Sequence, residues 1–312
     1  MTLREGLLIS SGVVGVLVLA TVVALILRAR ARDKGNPVLS NLVARIKAWW
    51  IMVALLGGAL LAGPHAVIVL FGLVSFAALR EFITLTPTHR ADHAALFTSF
   101  FVVLPWQYSL IWVDWYGFFT ILIPVYAFLV LPSLAVVFAD PKRFLTRTAE
   151  IQWGLMISVY CISHVPALLT LDIPGYRGRS ALLMVFLLLV VQSSDVLQYV
   201  WGKLLGRHPI APAVSPSKTW EGLIGGAICA TALGSALWRL TPFGPWQAAG
   251  MALAVTAMGF FGGLVMSAIK RDRGVKDWGQ LIEGHGGMLD RLDSVAFSAP
   301  IFFHLTRYFY AT

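Results

Sequence analysis

Residues 181–200 read ALLMVFLLLVVQSSDVLQYV, and the first eleven of them are wholly apolar. A helix needs about 20 mostly apolar residues to cross the hydrocarbon of a bilayer, which is the length of this stretch. The same composition recurs along the chain, which is 58% hydrophobic and 12% charged and has a mean hydropathy of +0.78. These values exclude an ordinary soluble domain and indicate an integral membrane protein.

Apolar windows of this length divide the chain into spans. We predict an all-α integral membrane protein of about ten transmembrane helices, with nine as the alternative count. The apolar stretch between Ala48 and Leu79 is interrupted by Gly63, Pro64 and His65, and we interpret it as a helical hairpin. The other predicted spans are Gly6 to Leu27, Ala94 to Trp112, Phe118 to Phe138, Ile151 to Leu171, Ala181 to Val200, Gly222 to Leu240, Gln247 to Ile269 and Val295 to Thr306.

The distribution of positive charge predicts the orientation. With the N-terminus outside, the cytoplasmic loops hold 19 of the 24 Lys and Arg residues, as the positive-inside rule requires. Arg177 and Arg179, in one short outside loop, fit this orientation least well. The first span has a long core followed by basic residues, which is typical of a retained anchor. The predicted cytoplasmic loops are 28–47, 80–93, 139–150, 201–221 and 270–294.

Composition also limits the partners and the organisation. Topology and anionic lipid account for the net charge of +9, so we expect no nucleic-acid partner. Cys161 and Cys229 fall inside predicted spans, so neither a disulfide framework nor thiolate metal ligands are expected. The chain is interpreted as one polytopic domain, 1–312, in which 1–180 is the less characteristic part and 181–312 carries the motifs. The compact size and the absence of a cleavable targeting segment favour a bacterial inner membrane.

The opening stretch contains an acidic residue within a membrane span. Gln192, Asp195 and either Gln198 or Tyr199 recur every three or four residues, so they share one helix face. Because a carboxylate exposed to lipid is costly, Asp195 is a candidate functional residue. The alternative is a structural aspartate that pairs with a lysine or caps a broken helix.

A polar loop follows, and 202–222 reads GKLLGRHPIAPAVSPSKTWEG. Ser215 and Thr219 supply hydroxyl groups and Lys218 supplies a cation. The helix that begins after Glu221 presents free backbone N–H groups to whatever lies before it. This combination suits a phosphate, although Ser-Pro turns with a lysine are also ordinary loops at a membrane edge.

The segment 267–293, SAIKRDRGVKDWGQLIEGHGGMLDRLD, interleaves cations, carboxylates and glycines. Asp290 and Asp293 stand at i and i+3, so on a helix both carboxylates face one way and suit a hard cation such as magnesium. An ordinary positive-inside loop explains the basic residues, but it does not explain two carboxylates that enter a membrane span.

Glycines and cations of the same segment suit a polyphosphate. Glycines allow the backbone to approach a ligand closely, so several N–H groups converge on phosphate oxygens. The cations would offset the negative charge of the phosphates. The glycines are Gly284, Gly286 and Gly287, and the cations are Lys270, Arg271 and Lys276.

These residues resemble the phosphatidate cytidylyltransferase family, also called CDP-diacylglycerol synthases. The family's C-terminal signature is matched by Ser267, Lys270, Arg271, Lys276, Asp277, His285, Gly286, Gly287, Asp290, Arg291 and Asp293. An upstream pattern is matched by Asp195, Tyr199, Gly202, Lys203, Ser215, Pro216, Lys218, Thr219, Glu221 and Gly222. Gln198 and Ser217 depart from the pattern, which leaves open a divergent member with an altered lipid. The resemblance lies in the C-terminal part of the chain.

The resemblance implies transfer of CMP from CTP to phosphatidic acid, with release of pyrophosphate, at a site on the cytoplasmic ends of the C-terminal helices. It implies Mg²⁺, with a second metal ion left open, held by Asp290, Asp293 and Asp277, with Asp195 as an additional ligand. The implied catalytic residues are Asp290, Asp293, Asp277, Lys270, Arg271 and Lys276. The implied substrate-binding residues are Ser215, Lys218, Thr219, Glu221, His285, Gly286, Gly287 and Arg291. His285 either binds a phosphate or orients the glycine turn.

The expected partners are CTP, phosphatidic acid and membrane lipid, and a homo-oligomer is left open. Two other functions compete with this interpretation. A transporter or lipid flippase would use the buried Asp195 on a translocation route, but no inverted repeat is apparent and the charges cluster on one predicted face. Another CTP-using lipid phosphotransferase, such as a kinase, would leave no CMP in the lipid product.

Overall fold

The computed structural model describes residues 3–30, 37–138, 142–282 and 286–311. In these ranges the protein is almost entirely helical, with one two-stranded antiparallel hairpin, which confirms the predicted all-α class. The long helices are α1 (Leu3–Arg30), α2 (Pro37–Ala62), α3 (Pro64–Thr84), α4 (Arg90–Trp112), α5 (Tyr116–Val137), α6 (Phe144–Thr170), α7 (Ala181–Leu205), α8 (Trp220–Ala236), α9 (Pro245–Asp272) and α10 (Leu289–Tyr310). The hairpin strands are β1 (Pro209–Ala211) and β2 (Ser215–Thr219), and a short 3₁₀ turn spans Trp238–Leu240.

Eight of these helices, α1 to α7 and α9, are long and apolar enough to cross a membrane. The prediction of an integral membrane protein is therefore confirmed. Helix α8 has 17 residues, fewer than the roughly 20 of a full span. Helix α10 begins with Asp290, Arg291 and Asp293, which reduces its mean hydropathy. The count of ten spans and the outside position of the N-terminus stay predictions.

The predicted helical hairpin is confirmed, because only Gly63 separates α2 from α3. Gly63 has a φ of 110°, a conformation that side chains disfavour, and Pro64 then begins α3. Both helices extend beyond the apolar window, since α2 begins at Pro37 and α3 continues to Thr84. The predicted loops 28–47 and 80–93 are therefore too long. Charged residues end an apolar pattern, but they do not end a helix whose backbone hydrogen bonds continue.

Helices α4, α5 and α6 contain wider, π-helical stretches at Ser99–Val103, Leu122–Ala127 and Met156–Cys161. Pro124 lies inside the second stretch and lacks the N–H that a regular α-helix requires. The wider turn accommodates this missing hydrogen bond.

Small residues bring the C-terminal helices close together. A Cβ on Gly226 of α8 would lie 2.4 Å from Cγ of Gln198 on α7, and a Cβ on Gly234 would lie 2.3 Å from Cβ of Ala252 on α9. Such contacts let helix backbones approach closely in a membrane. The close packing of α7, α8 and α9 places the end of α7 and the β-hairpin beside α9 and α10.

Two buried ion pairs attach α6 to the rest of the protein. Nε of Arg147 lies 2.9 Å from Oδ1 of Asp92 on α4, and both side chains are only 3% exposed. Nη2 of Arg273, directly after α9, lies 2.7 Å from Oε1 of Glu150. Helix α6 therefore connects the N-terminal half to the segment that follows α9.

The two arginines that fitted the predicted orientation least well have local partners. Arg177 donates to Asp172 at 3.3 Å, and Arg179 donates to the backbone oxygen of Arg239 at 3.0 Å. Because Asp172 offsets the charge of Arg177, this loop carries less net positive charge than a count of arginines suggests.

We expect Asp92→Ala to lower the free energy of unfolding by about 3–5 kcal/mol, because it removes the carboxylate opposite the buried guanidinium of Arg147. Asp172→Ala is the matched control. It breaks an ion pair whose side chains are 84% and 58% exposed, which costs about 1 kcal/mol or less. Thermal unfolding in one detergent measures both variants, and equal losses of stability would contradict the prediction.

Candidate active site

Three elements bring polar side chains together at one end of the C-terminal helices. Asp195 lies in the C-terminal half of α7, ten residues before its last residue Leu205, and its Oδ1 accepts a hydrogen bond from Oγ of Ser294 on α10 at 3.1 Å. Asp293 on α10 and Lys218 on β2 lie close enough to Asp195 to interact with it electrostatically. Two carboxylates that are nearly 100 residues apart therefore interact electrostatically with the same cation.

Lys218 is held in a mostly buried position. Its Nζ donates to the backbone oxygen of Phe260 at 3.3 Å and lies 4.8 Å from the centroid of the Phe260 ring. A Cβ on Gly263 would lie 2.5 Å from Nζ, so a larger residue there would force the ammonium group to shift. Burial lowers the pKa of Lys218, and the charges of Asp195 and Asp293 oppose this shift.

Asp290 is hydrogen-bonded within the chain on both oxygens. Oδ1 lies 2.7 Å from Nζ of Lys270, while Oδ2 accepts from the backbone N–H groups of Trp278 at 2.8 Å and Gly287 at 2.9 Å. The side chains of Asp290 and Lys270 are 4% and 11% exposed. Asp293 instead accepts from the N–H of the adjacent Ser294 at 2.8 Å. The two carboxylates at helical spacing therefore have different hydrogen-bond partners: Asp290 holds a loop, whereas Asp293 interacts electrostatically with Lys270 and Lys218.

The glycine turn before α10 contacts the protein's own carboxylates. Gly286 has a φ of 83°, and a Cβ there would lie 2.7 Å from Oδ2 of Asp290. The carbonyl oxygen of Gly286 accepts from the N–H of Ile282 at 2.8 Å, and Gly287 donates to Asp290. The sequence predicted that these glycines open the backbone to phosphate, but the N–H of Gly287 is already occupied. Gly284 and His285 lie outside the described residues.

The other charged residues of the segment differ in exposure. Arg271, Lys276 and Asp277 are exposed, and Nη1 of Arg271 donates to the backbone oxygen of Val275 at 2.9 Å. Asp277 lies beside the glycine turn, because a Cβ on Gly286 would be 3.4 Å from its Cβ. Nε of Arg291 is buried and has no hydrogen-bond partner among the described residues.

The β-hairpin positions Lys218 through its neighbours. Oγ1 of Thr219 accepts from the N–H of Gly222 at 3.1 Å and so caps α8. Oε2 of Glu221 accepts from the N–H groups of Arg207 and His208 at 3.1 and 3.3 Å, while Oε1 lies 2.5 Å from Nδ1 of His208. These hydrogen bonds, the one from His208 first, lower the pKa of Glu221 to about 2. The contacts shape the loop, and the substrate-binding assignments of Thr219, Glu221 and Ser215 stay predictions.

One residue of the site was missed by the sequence analysis. Glu81, in the last turn of α3, accepts hydrogen bonds from the backbone N–H groups of Met288 at 2.8 Å and Leu289 at 2.9 Å. It comes from the half of the chain that was considered less characteristic and lies 207 residues from Met288. The signal that could have found it is a lone carboxylate near the end of an apolar helix.

The described residues fit a magnesium ion that is shared with substrate. They contain no group of three or more His, Cys, Asp or Glu side chains arranged to hold a metal ion. Asp195 and Asp293 nevertheless offer two carboxylates close together, beside the hydroxyl group of Ser294. Magnesium commonly binds one or two carboxylates together with substrate phosphates and water, so this donor set suits it.

These features define a helical membrane protein with a site of carboxylates and cations at one end of its last four helices. Residues 43–309 match the cytidylyltransferase family. The chain therefore belongs to this family and is a nucleotidyltransferase, as the motifs predicted.

Individual relatives differ in how much of the chain they match. Uncharacterized protein YnbB of Escherichia coli (strain K12) is 40% identical over 294 residues, which are 94% of this chain and 95% of that protein. Phosphatidate cytidylyltransferase of Staphylococcus aureus (strain COL) is 34% identical over 160 residues, which cover 50% of this chain and 62% of that one. Phosphatidate cytidylyltransferase of Mycobacterium leprae (strain TN) is 42% identical over 118 residues, 37% of each chain.

We expect Gly263→Ala to lower cytidylyltransferase activity at least about 10-fold, since the new Cβ displaces the ammonium group of Lys218. Gly250→Ala is the matched control on the same helix, because a Cβ at Gly250 meets no atom within 4 Å. Both changes replace a helical glycine and favour the helix by about 0.5–1 kcal/mol. Turnover and thermal unfolding of both variants test this. Equal activities would show that turnover does not depend on the present position of the Lys218 ammonium group.

Proposed function

We propose that this protein transfers the CMP group of CTP to phosphatidic acid, which yields CDP-diacylglycerol and pyrophosphate in a Mg²⁺-dependent reaction. The family membership and the two relatives named phosphatidate cytidylyltransferase support this substrate pair. The observation that carries the proposal is the position of Lys218, a cation held beside Asp195 and Asp293 where three helices meet. Such a site binds phosphates without needing a protein nucleophile.

The chemistry requires little covalent participation by the protein. An anionic phosphate oxygen of phosphatidic acid attacks the α-phosphorus of CTP, the bond to the bridging oxygen breaks, and pyrophosphate leaves with the electron pair. Because the lipid brings its own nucleophile, the protein supplies positioning and charge neutralisation. Lys218 and the unpartnered Nε of Arg291 would bind phosphate oxygens, while Arg271 and Lys276 are exposed where soluble CTP arrives.

In this proposal Asp195 and Asp293 hold the magnesium ion, which stabilises negative charge on the phosphates when bound. Ser294 orients Asp195 through its hydroxyl group. Asp290 keeps the preceding loop in place through Lys270, Trp278 and Gly287. Asp277, which is exposed beside Gly286, remains a candidate for a second metal ion.

We further propose that the protein lies in a bacterial inner membrane with its active site facing the cytoplasm, where CTP is available. The lipid substrate would approach in the plane of the bilayer, and CTP would approach from the side of the β-hairpin and residues 273–282. A transporter needs a polar route through the midplane, whereas Lys218 lies on β2 outside the helices and Asp293 lies near the start of α10, where Asp195 of α7 joins them.

We expect CTP labelled at the α-phosphate to transfer its label to phosphatidic acid when the protein is purified in detergent with Mg²⁺. The lipid product should contain cytidine, and pyrophosphate should form in equal amount. Asp293→Asn is the control, because it keeps the shape of the side chain and removes the charge that faces Lys218.

Two results would overturn the proposal. Transfer of label only from the γ-phosphate would identify a CTP-using lipid kinase. Movement of lipid across reconstituted vesicles, without turnover of CTP, would identify a transporter.

A further inference from the structure

Glu81 connects the N-terminal half of the protein to the start of α10. Its two oxygens accept from the N–H groups of Met288 and Leu289 at 2.8 and 2.9 Å. These N–H groups belong to the first turn of α10, where a helix has donors without an internal acceptor. A carboxylate there satisfies the donors and also interacts favourably with the helix dipole.

Little space surrounds this carboxylate. A Cβ on Gly287 would lie 2.5 Å from Oε2 of Glu81, and a Cβ on Gly279 would lie 3.0 Å from Oε1. Glu81 therefore lies against both Gly279 and Gly287. The adjacent residue Phe82 stacks on Trp278, with ring centroids 5.2 Å apart and planes inclined by 21°. Two consecutive residues of α3 thus hold the segment that leads into α10.

Hydrogen bonds to carboxylates fix three consecutive backbone N–H groups at this point. Gly287 donates to Asp290, and Met288 and Leu289 donate to Glu81. Asp293 follows one turn later on the same helix, so the orientation of its carboxylate depends on where α10 begins. A helix whose first turn is loosened would misplace Asp293 relative to Asp195 and Lys218.

We propose that Glu81 is a positioning residue for the nucleotidyl-transfer site. It touches none of the reacting groups and acts by fixing the first turn of α10, which carries Asp290 and which Asp293 follows by one turn. The effect on catalysis rests on the function proposed above, whereas the effect on the α10 backbone does not.

Two substitutions separate the charge of Glu81 from its reach. Glu81→Gln keeps the length, but it replaces one acceptor oxygen with a donor that cannot accept from Met288 or Leu289. Glu81→Asp keeps both acceptors and the charge, but it is shorter by one methylene group. Glu150→Gln is the matched control, because it alters another largely buried carboxylate, 10% exposed, that binds Arg273 and not α10.

Two measurements are made on the full-length protein in one detergent. Amide hydrogen exchange of a peptide that covers 286–292 should become about 10-fold faster or more in Glu81→Gln and change least in Glu150→Gln. Turnover with CTP, phosphatidic acid and Mg²⁺ should fall about 10- to 100-fold in Glu81→Gln, and the Mg²⁺ concentration for half-maximal rate should rise. Glu81→Asp should retain more of both properties, and it tests the proposal if Glu81→Gln does not fold.

Unchanged exchange at 286–292 in both Glu81 variants would overturn the proposal. A second result would also overturn it: Glu81→Gln and Glu150→Gln lose the same thermal stability, lose the same turnover rate and keep the same Mg²⁺ dependence. Glu81 would then act on stability alone. If the unaltered protein does not turn over CTP, the proposed function fails while the exchange measurement still decides the role of Glu81.

Discussion

A charge in or near the hydrocarbon of a bilayer must be held by another charge or by hydrogen bonds, and this constraint organises the protein. Lys218 enters between α7, α9 and α10 because Asp195 and Asp293 offset its burial and Phe260 accepts its hydrogen bond. Further away, Asp92 holds Arg147, and Glu150 holds Arg273. These interactions fix the helices that carry the residues relative to one another. The interactions that allow the charged side chains to be buried therefore also determine the geometry of the site.

The carboxylates near the site divide into two groups by what they accept. Asp290, Glu81 and Glu221 accept backbone N–H groups at the turns around the site, so they determine where the loops and α10 lie. Asp195 and Asp293 accept fewer hydrogen bonds and interact electrostatically with Lys218, as Asp293 also does with Lys270. Carboxylates with remaining acceptor capacity are the ones suited to a magnesium ion that is shared with phosphates.

The fold class could be predicted because an apolar run of about twenty residues has the length of a helix that crosses a bilayer. Gly63 before Pro64 indicated the turn of the helical hairpin. The composition of the site was also accessible, since Asp195, Lys218 and Asp293 are polar residues in or beside apolar spans. The role of Asp290 as a metal ligand stays a prediction, and a separation of three residues could not report that Lys270 and Trp278 contact its oxygens. A lone carboxylate near the end of an apolar helix marks Glu81 as a candidate, but its partners could not be predicted, because they lie more than 200 residues away and are backbone groups.

The central claim is that Asp195 and Asp293, and not Asp290, hold the metal ion. The most direct test is the electron paramagnetic resonance of Mn²⁺, used in place of Mg²⁺, bound to the purified protein with a CTP analogue that cannot transfer its CMP group. The account predicts that Asp195→Asn and Asp293→Asn weaken Mn²⁺ binding at least about 10-fold, while folded Asp290→Asn binds Mn²⁺ nearly as the unaltered protein does. Loss of Mn²⁺ binding in Asp290→Asn alone would contradict it.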